Sequence, residues 1–161
     1  MRAVDVLATA LRNAGEMVAH TLADFSDADM LVRPVDAANH AAWQLGHLVN
    51  SEHHMISMAG GKMPALPAVL AAWGKEQQAI NDPARVPAKA ALLAAYQAQR
   101  AATLAWVKTL ADKDLADTRG GKLPEWAPTV GALLTGAAMH DMMHMGQMQV
   151  VRRKLGKPIL F

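Results

Sequence analysis

The sequence predicts an all-α protein arranged as a four-helix bundle, and three observations carry that expectation. Alanine, leucine and methionine are abundant, and all three favour helix. Aromatic and β-branched runs are scarce. Beyond the four tryptophans there are only Phe25, Tyr96 and Phe161, which argues against a sheet. Four segments of roughly 20 residues place apolar side chains at steps of three and four, each able to span about 30 Å. Such lengths pack naturally against one another as a bundle.

The first segment runs from about Val4 to Ala23, with Val4, Leu7, Leu11, Val18 and Leu22 near one face. A connector over residues 25–39 follows, in which Ser26 and Asp27 form turns and Pro34 stops any helix passing through. Asn39 is the expected N-cap of the second segment, about His40 to Ala59, which Gly60 and Gly61 end. Prolines at 64, 67, 83 and 87 mark a long excursion with room for one short helix, about Ala68 to Trp73. The third segment spans about Ala88 to Leu110, with Leu92, Leu93, Tyr96, Leu104 and Val107 apolar. Residues 112–128 form another Gly- and Pro-bearing connector. The fourth helix opens at Thr129 as N-cap and runs to about Leu155, before Gly156 and Pro158. The long second connector permits a crossover, so simple up-down-up-down order is not required.

At 161 residues, with 52% hydrophobic and 19% charged side chains, the whole chain reads as one domain, 1–161, with a core of its own. Net charge is +2, and the densest basic run, Arg152-Arg153-Lys154, falls where cations complement a helix dipole. No aromatic-plus-basic pattern points to nucleic acid. Cysteine is absent, which excludes disulfides and zinc-thiolate sites. No apolar stretch approaches the roughly 20 residues that cross a bilayer, and the N-terminal segment is not of signal-peptide type. A soluble, cytoplasmic protein is expected, with no nucleic-acid or membrane partner.

The functional signal lies in the fourth helix. Val130, Leu133, Ala137, His140, His144, Gln147 and Val151 form one stripe that should face neighbouring helices. Burying two imidazoles there costs free energy unless each finds a partner. They are i and i+4, close enough to reach one ion. Two ligands are rarely enough, because catalytic zinc usually takes three from the protein. His40, His47 and His54 lie seven apart on the second helix and share a face with Trp43 and Ser51. His47 is the central member and matches the depth of the pair if the two helices are antiparallel, so His47, His140 and His144 are the expected ligands. The competing reading makes His140 and His144 hydrogen-bonded core residues. His40 is read as a cap or rim residue, and His20 and His53 as solvent-facing.

The segments HAAWQLGHLVNSE (40–52) and HDMMHMGQ (140–147) resemble the DinB/YfiT-like superfamily of damage-inducible metal-binding proteins. The resemblance rests on Trp43, Leu45 and His47 in a W-x-L-x-H pattern, then on His140, His144, Gly146 and Gln147 in H-x-x-x-H-x-G-Q. Val32-Arg33-Pro34 is similar to the family's WRP-like connector. Between the paired histidines the family commonly has Glu and an aromatic, where this chain has Asp141, Met142 and Met143. The resemblance implies a four-helix bundle with long crossover connections, often a homodimer, with three histidines holding zinc or nickel. It also implies transfer of a low-molecular-weight thiol such as bacillithiol or mycothiol, thiol-assisted isomerisation, or metal-dependent hydrolysis of a small-molecule substrate.

Three neutral imidazoles leave the charge of a divalent cation uncompensated. Such an ion lowers the pKa of bound water from 15.7 to about 7, or holds a thiol as thiolate. Hydrolysis also wants a general base, and neither Glu52 nor Asp141 stands on the histidine stripe, which tilts the reading to thiol transfer. Gln147, one turn below His144, is expected to orient a ligand or substrate. Ser51 is expected beside the pocket, Trp43 to wall it or, in the commoner use, to pack in the core, and Asp141 to serve as a supporting or surface residue. The rivals fare worse. Paired Glu-x-x-His motifs of di-iron bundles and the H-E-x-x-H of zincin proteases are both absent. Met139, Met142, Met143, Met145 and Met148 circle the helix rather than forming a soft-metal cluster. A non-enzymatic metal-binding stress protein is the remaining alternative.

Overall fold

A computed structural model describes residues 2–71, 73, 78 and 80–160. The described residues are helical, with no strand among them: α1 is Ala3–Thr21, α2 Ala41–Met58, α3 Ala68–Ala71, α4 Lys89–Val107 and α5 Val130–Lys154. Four are long, as the periodicity requires. The short helix expected over 68–73 is a single turn ending at Ala71; residue 72 lies outside the described residues, and Trp73 is not helical.

Local chemistry sets the boundaries. His40, not Asn39, caps α2: its Nδ1 accepts from the Trp43 N–H at 3.0 Å. That leaves the His40 proton on Nε2, which donates to the Ile80 carbonyl at 2.8 Å. A buried histidine thus ties the start of α2 to the crossover connector. Gly60, at φ +94°, ends α2 in a Schellman motif in which Gly61 N–H reaches the Ile56 carbonyl at 2.9 Å. Thr129 caps α5 by accepting from Ala132 N–H at 3.1 Å, as its sequence position suggests.

Contacts give the directions. Thr21, at the end of α1, meets Gln149 and Arg152 near the end of α5, so these two run parallel. Lys89 opens α4 against the Leu22 carbonyl while Arg100 reaches that of Leu11, so α1 and α4 are antiparallel. Gln44 faces His144, whereas Met55 shares a cavity with Ala132, so α2 and α5 are antiparallel. The order is up-down-down-up. The 59–88 connector must therefore travel the bundle's length before α4 can lie parallel to α2. Trp73 anchors that crossing: its indole N–H donates to the Trp43 carbonyl at 3.1 Å over Gly46.

Two apolar layers fill the bundle. Val18, Leu22, Leu45, Leu48, Leu92, Met148 and Val151 belong to one. Val4, Leu11, Ile56, Val107, Leu133 and Leu134 belong to the other. Between them lies a polar layer. Arg100 donates to Asp141 at 2.6 Å and to Glu52 at 3.2 Å, with the Leu11 carbonyl at 2.5 Å. Tyr96 donates to Asp141 at 2.6 Å and Thr103 to Glu52 at 2.7 Å. Buried charges survive only with such partners. The basic run closes the last turn of α5, as expected, and two of its members have partners of their own. Arg152 is buried and pairs with Asp24, and Lys154 donates to the Arg33 carbonyl at 2.8 Å.

Candidate metal centre

His47, from the middle of α2, meets His140 and His144 from the middle of α5. The sequence separation between the two helices' members is 93 and more, so only the antiparallel packing joins them. His47 Nε2 lies 3.2 Å from His140 Nε2, which lies 3.1 Å from His144 Nε2. One ligand-type nitrogen from each ring falls within 4.8 Å of the others, a grouping that could hold a metal ion. Zinc bound tetrahedrally at about 2.05 Å sets neighbouring imidazole nitrogens about 3.3 Å apart. These two spacings fit that edge length, and the third pair lies within 4.8 Å. The donor set, three nitrogens from uncharged rings, also suits zinc or nickel.

The rings are held from behind. His144 is buried, and its Nδ1–H donates to Gln44 Oε1 at 3.3 Å. Gln44 is itself oriented, because its NH₂ donates to the Asn39 carbonyl at 2.9 Å. The His144 lone pair is therefore on Nε2, toward the other two histidines. Trp43 stacks on His47 with centroids 4.9 Å apart and planes 8° from parallel, which fixes the ring's tilt. Ser51 Oγ stands 3.5 Å from His47 Nε2. Burial lowers the pKa of His47, and lowers His140 and His144 to about 4, with His47 further disfavouring charge on His140, and both His140 and His47 on His144. The metal-free site is thus neutral at pH 7, the protonation state a cation needs.

Not every expected residue faces the site. Ser51 lines the cavity beside the histidines, whereas Trp43 is not among its lining residues and is buried in the core, stacked on His47. Gln147 is exposed and is a minor polar neighbour of His144. Asp141 points away into the Arg100–Tyr96 layer, because one residue past His140 turns its side chain off the stripe. Glu52 is drawn into the same layer. His53 is half-buried and lies 3.3 Å from Gln99 Oε1, which corrects its reading as solvent-facing. Gln44 was not singled out by sequence, although it stands one turn before His47 on α2.

His47 and His140 form one end of a cavity of about 900 Å³ between α2 and α5. Asn50, Ser51, His54 and Met55 of α2 line it, with Ala132, Thr135, Gly136, Met139 and Met143 of α5. Trp126, from the connector before α5, closes the far side over Gly136. Neither Glu52 nor Asp141 is among its lining residues. No described helix is long and apolar enough to cross a membrane.

The sequence profile of the DinB superfamily matches residues 10–148. A solved structure, described as the conserved protein of locus from Enterococcus faecalis, superposes with a TM-score of 0.67 at 20% identity. That match covers 98% of this chain and 99% of the other, and it speaks to the fold alone. No curated protein matches the chain.

Proposed function

The chain belongs to the DinB superfamily, and on that basis we propose that it is a metal-dependent enzyme that transfers a low-molecular-weight thiol to a small electrophilic substrate. His47, His140 and His144 hold the ion, zinc or nickel. When bound, such a cation supplies Lewis acidity that makes a thiol available as thiolate at neutral pH.

The observation that carries this reading is three convergent imidazoles at the end of a cavity lined by no carboxylate. Hydrolysis would ask a carboxylate or free imidazole beside the ion to take a proton from water, and His54, the further imidazole among the described lining residues, stands seven residues, about 10 Å, along α2 from His47. Glu52 and Asp141, the nearest in sequence to the histidines, are both committed to Arg100. Thiol transfer asks less of the protein, because the electrophile comes with the second substrate. The chain has no cysteine, so the sulfur must come from outside. Within the protein, Gln44 keeps His144 in the ligating tautomer, Trp43 holds the His47 ring plane, and Ser51 offers a hydroxyl beside the reacting groups. The same reading takes residues 1–161 as one domain, working as a cytoplasmic homodimer.

The test pairs metal content with turnover. Protein purified without added metal is analysed for bound elements, and then assayed with a panel of thiols and electrophilic acceptors. His47→Ala and His144→Ala should lose both the ion and the thiol consumption. Stoichiometric metal with no turnover on any thiol–acceptor pair would reject the transferase and leave a metal-binding protein.

A further inference from the structure

The cavity beside the histidines has a chemical character of its own. Among the described residues that line it there is no Asp, Glu, Lys or Arg. Its walls are mainly Met55, Met139, Met143, Ala132 and the indole of Trp126, with the uncharged polar side chains of Asn50, Ser51 and Thr135 and the imidazole of His54 among them. Met139, Met143 and Trp126 are 66%, 52% and 63% exposed, respectively. Large apolar side chains left this open around one concavity cost solubility and mark a binding surface.

Trp126 is placed there by construction. The turn at 124–127 closes through Ala127 N–H to the Pro124 carbonyl at 2.9 Å, while Leu123 and Ala127 are buried on either side. Gly136 completes the seat. A Cβ at that position would lie 2.5 Å from the Trp126 ring, so only glycine lets the indole rest on α5. The volume, about 900 Å³, suits a drug-sized ligand. Methionine walls adapt to ligand shape better than branched side chains.

We infer that this cavity takes an uncharged, largely apolar acceptor, with its reactive end at His47 and His140 and its body between Met139, Met143 and Trp126. The inference deepens the proposed function and rests on it for the word acceptor. Beyond the metal end, a carboxylate- or phosphate-bearing body finds no lysine or arginine among the lining residues and would lose its hydration without compensation. An ammonium-bearing one finds no carboxylate.

The experiment measures binding of three naphthalenes of similar shape to metal-loaded protein by calorimetry: 1-methoxynaphthalene, 1-naphthalenesulfonate and trimethyl(1-naphthyl)ammonium. Neither charged group is a good metal ligand. The neutral probe should bind at least about tenfold more tightly than either ion. Gly136→Ala, which displaces Trp126, should weaken the neutral probe with zinc affinity unchanged. Met139→Arg, at an exposed helix position, should shift preference to the sulfonate. A sulfonate or ammonium probe bound as tightly as the neutral one by the unaltered protein overturns the inference. So does the absence of binding by all three to protein that holds its metal. Failure to hold metal at all would instead reject the proposed function, and the two failures are read separately.

Discussion

Gln44→Leu tests the metal centre through a residue that touches no metal. The substitution removes the oxygen that accepts the His144 Nδ1–H at 3.3 Å, and the donor that occupies the Asn39 carbonyl at 2.9 Å. Leucine fills a similar buried volume, so packing is largely kept. Two effects follow. Loss of the partner that orients a ligating imidazole should cost about 10–100-fold in metal affinity, or about 1.4–2.7 kcal/mol. The unpartnered, buried Nδ1–H should cost the metal-free fold about 1–3 kcal/mol. Gln44→Glu separates these, because it keeps an acceptor for His144 while losing the donor to Asn39 and adding a carboxyl group. Zinc affinity is read by competition with a chromophoric chelator, and stability by urea melts of the stripped protein. The expected order of affinity places Leu well below both Gln and Glu. A Leu variant that melts earlier yet binds zinc as tightly as the unaltered protein would refute the orienting role.

Two further predictions concern the charges buried around the site. Arg100→Met should destabilise the fold by about 3–5 kcal/mol at pH 7, because Glu52 and Asp141 lose their shared counter-ion; a thermal melt should drop by about 10 °C. Burial already raises both carboxyl pKa values, with Arg100 opposing it. In the variant the folded state should hold protons that the unfolded state releases, so stability returns as pH falls toward 4.5; equal losses at pH 7 and pH 5 would contradict this. The metal-free histidines behave oppositely. With His140 and His144 lowered to about 4, the unfolded chain takes up protons below its ordinary value of about 6.5 that the folded chain refuses. Stability of stripped protein should therefore fall between pH 6.5 and 4, by at most about 3 kcal/mol for buried His144 and less for half-exposed His140. Replacing both by Gln should flatten that slope in urea melts.

Much of the molecule could be read along the chain because its causes are local. Three-and-four spacing marks α1, α2, α4 and α5, and Gly60, Thr129 and Gly156 end or begin helices through their own backbone or side-chain chemistry. The i, i+4 placement of His140 and His144 is equally local, and the heptad position of His47 made it the natural third member. Even so, the cap of α2 fell one residue from its expected place. An imidazole whose other nitrogen is claimed by Ile80 outcompeted the asparagine beside it.

What the chain alone left open were contacts between residues far apart in it. Gln44 and His144 are 100 positions apart, and Glu52, Arg100 and Asp141 meet from three helices. Periodicity says which face of a helix is buried but not which neighbour covers it. The up-down-down-up order decides that, by setting α5 against both α1 and α2. Asp141 shows the difference most plainly: beside a candidate ligand in sequence, it turns into the core because Arg100 of α4 waits there. Helix and histidine stripe are properties of the chain. The oriented lone pair and the uncharged cavity beside it exist only where helices pack.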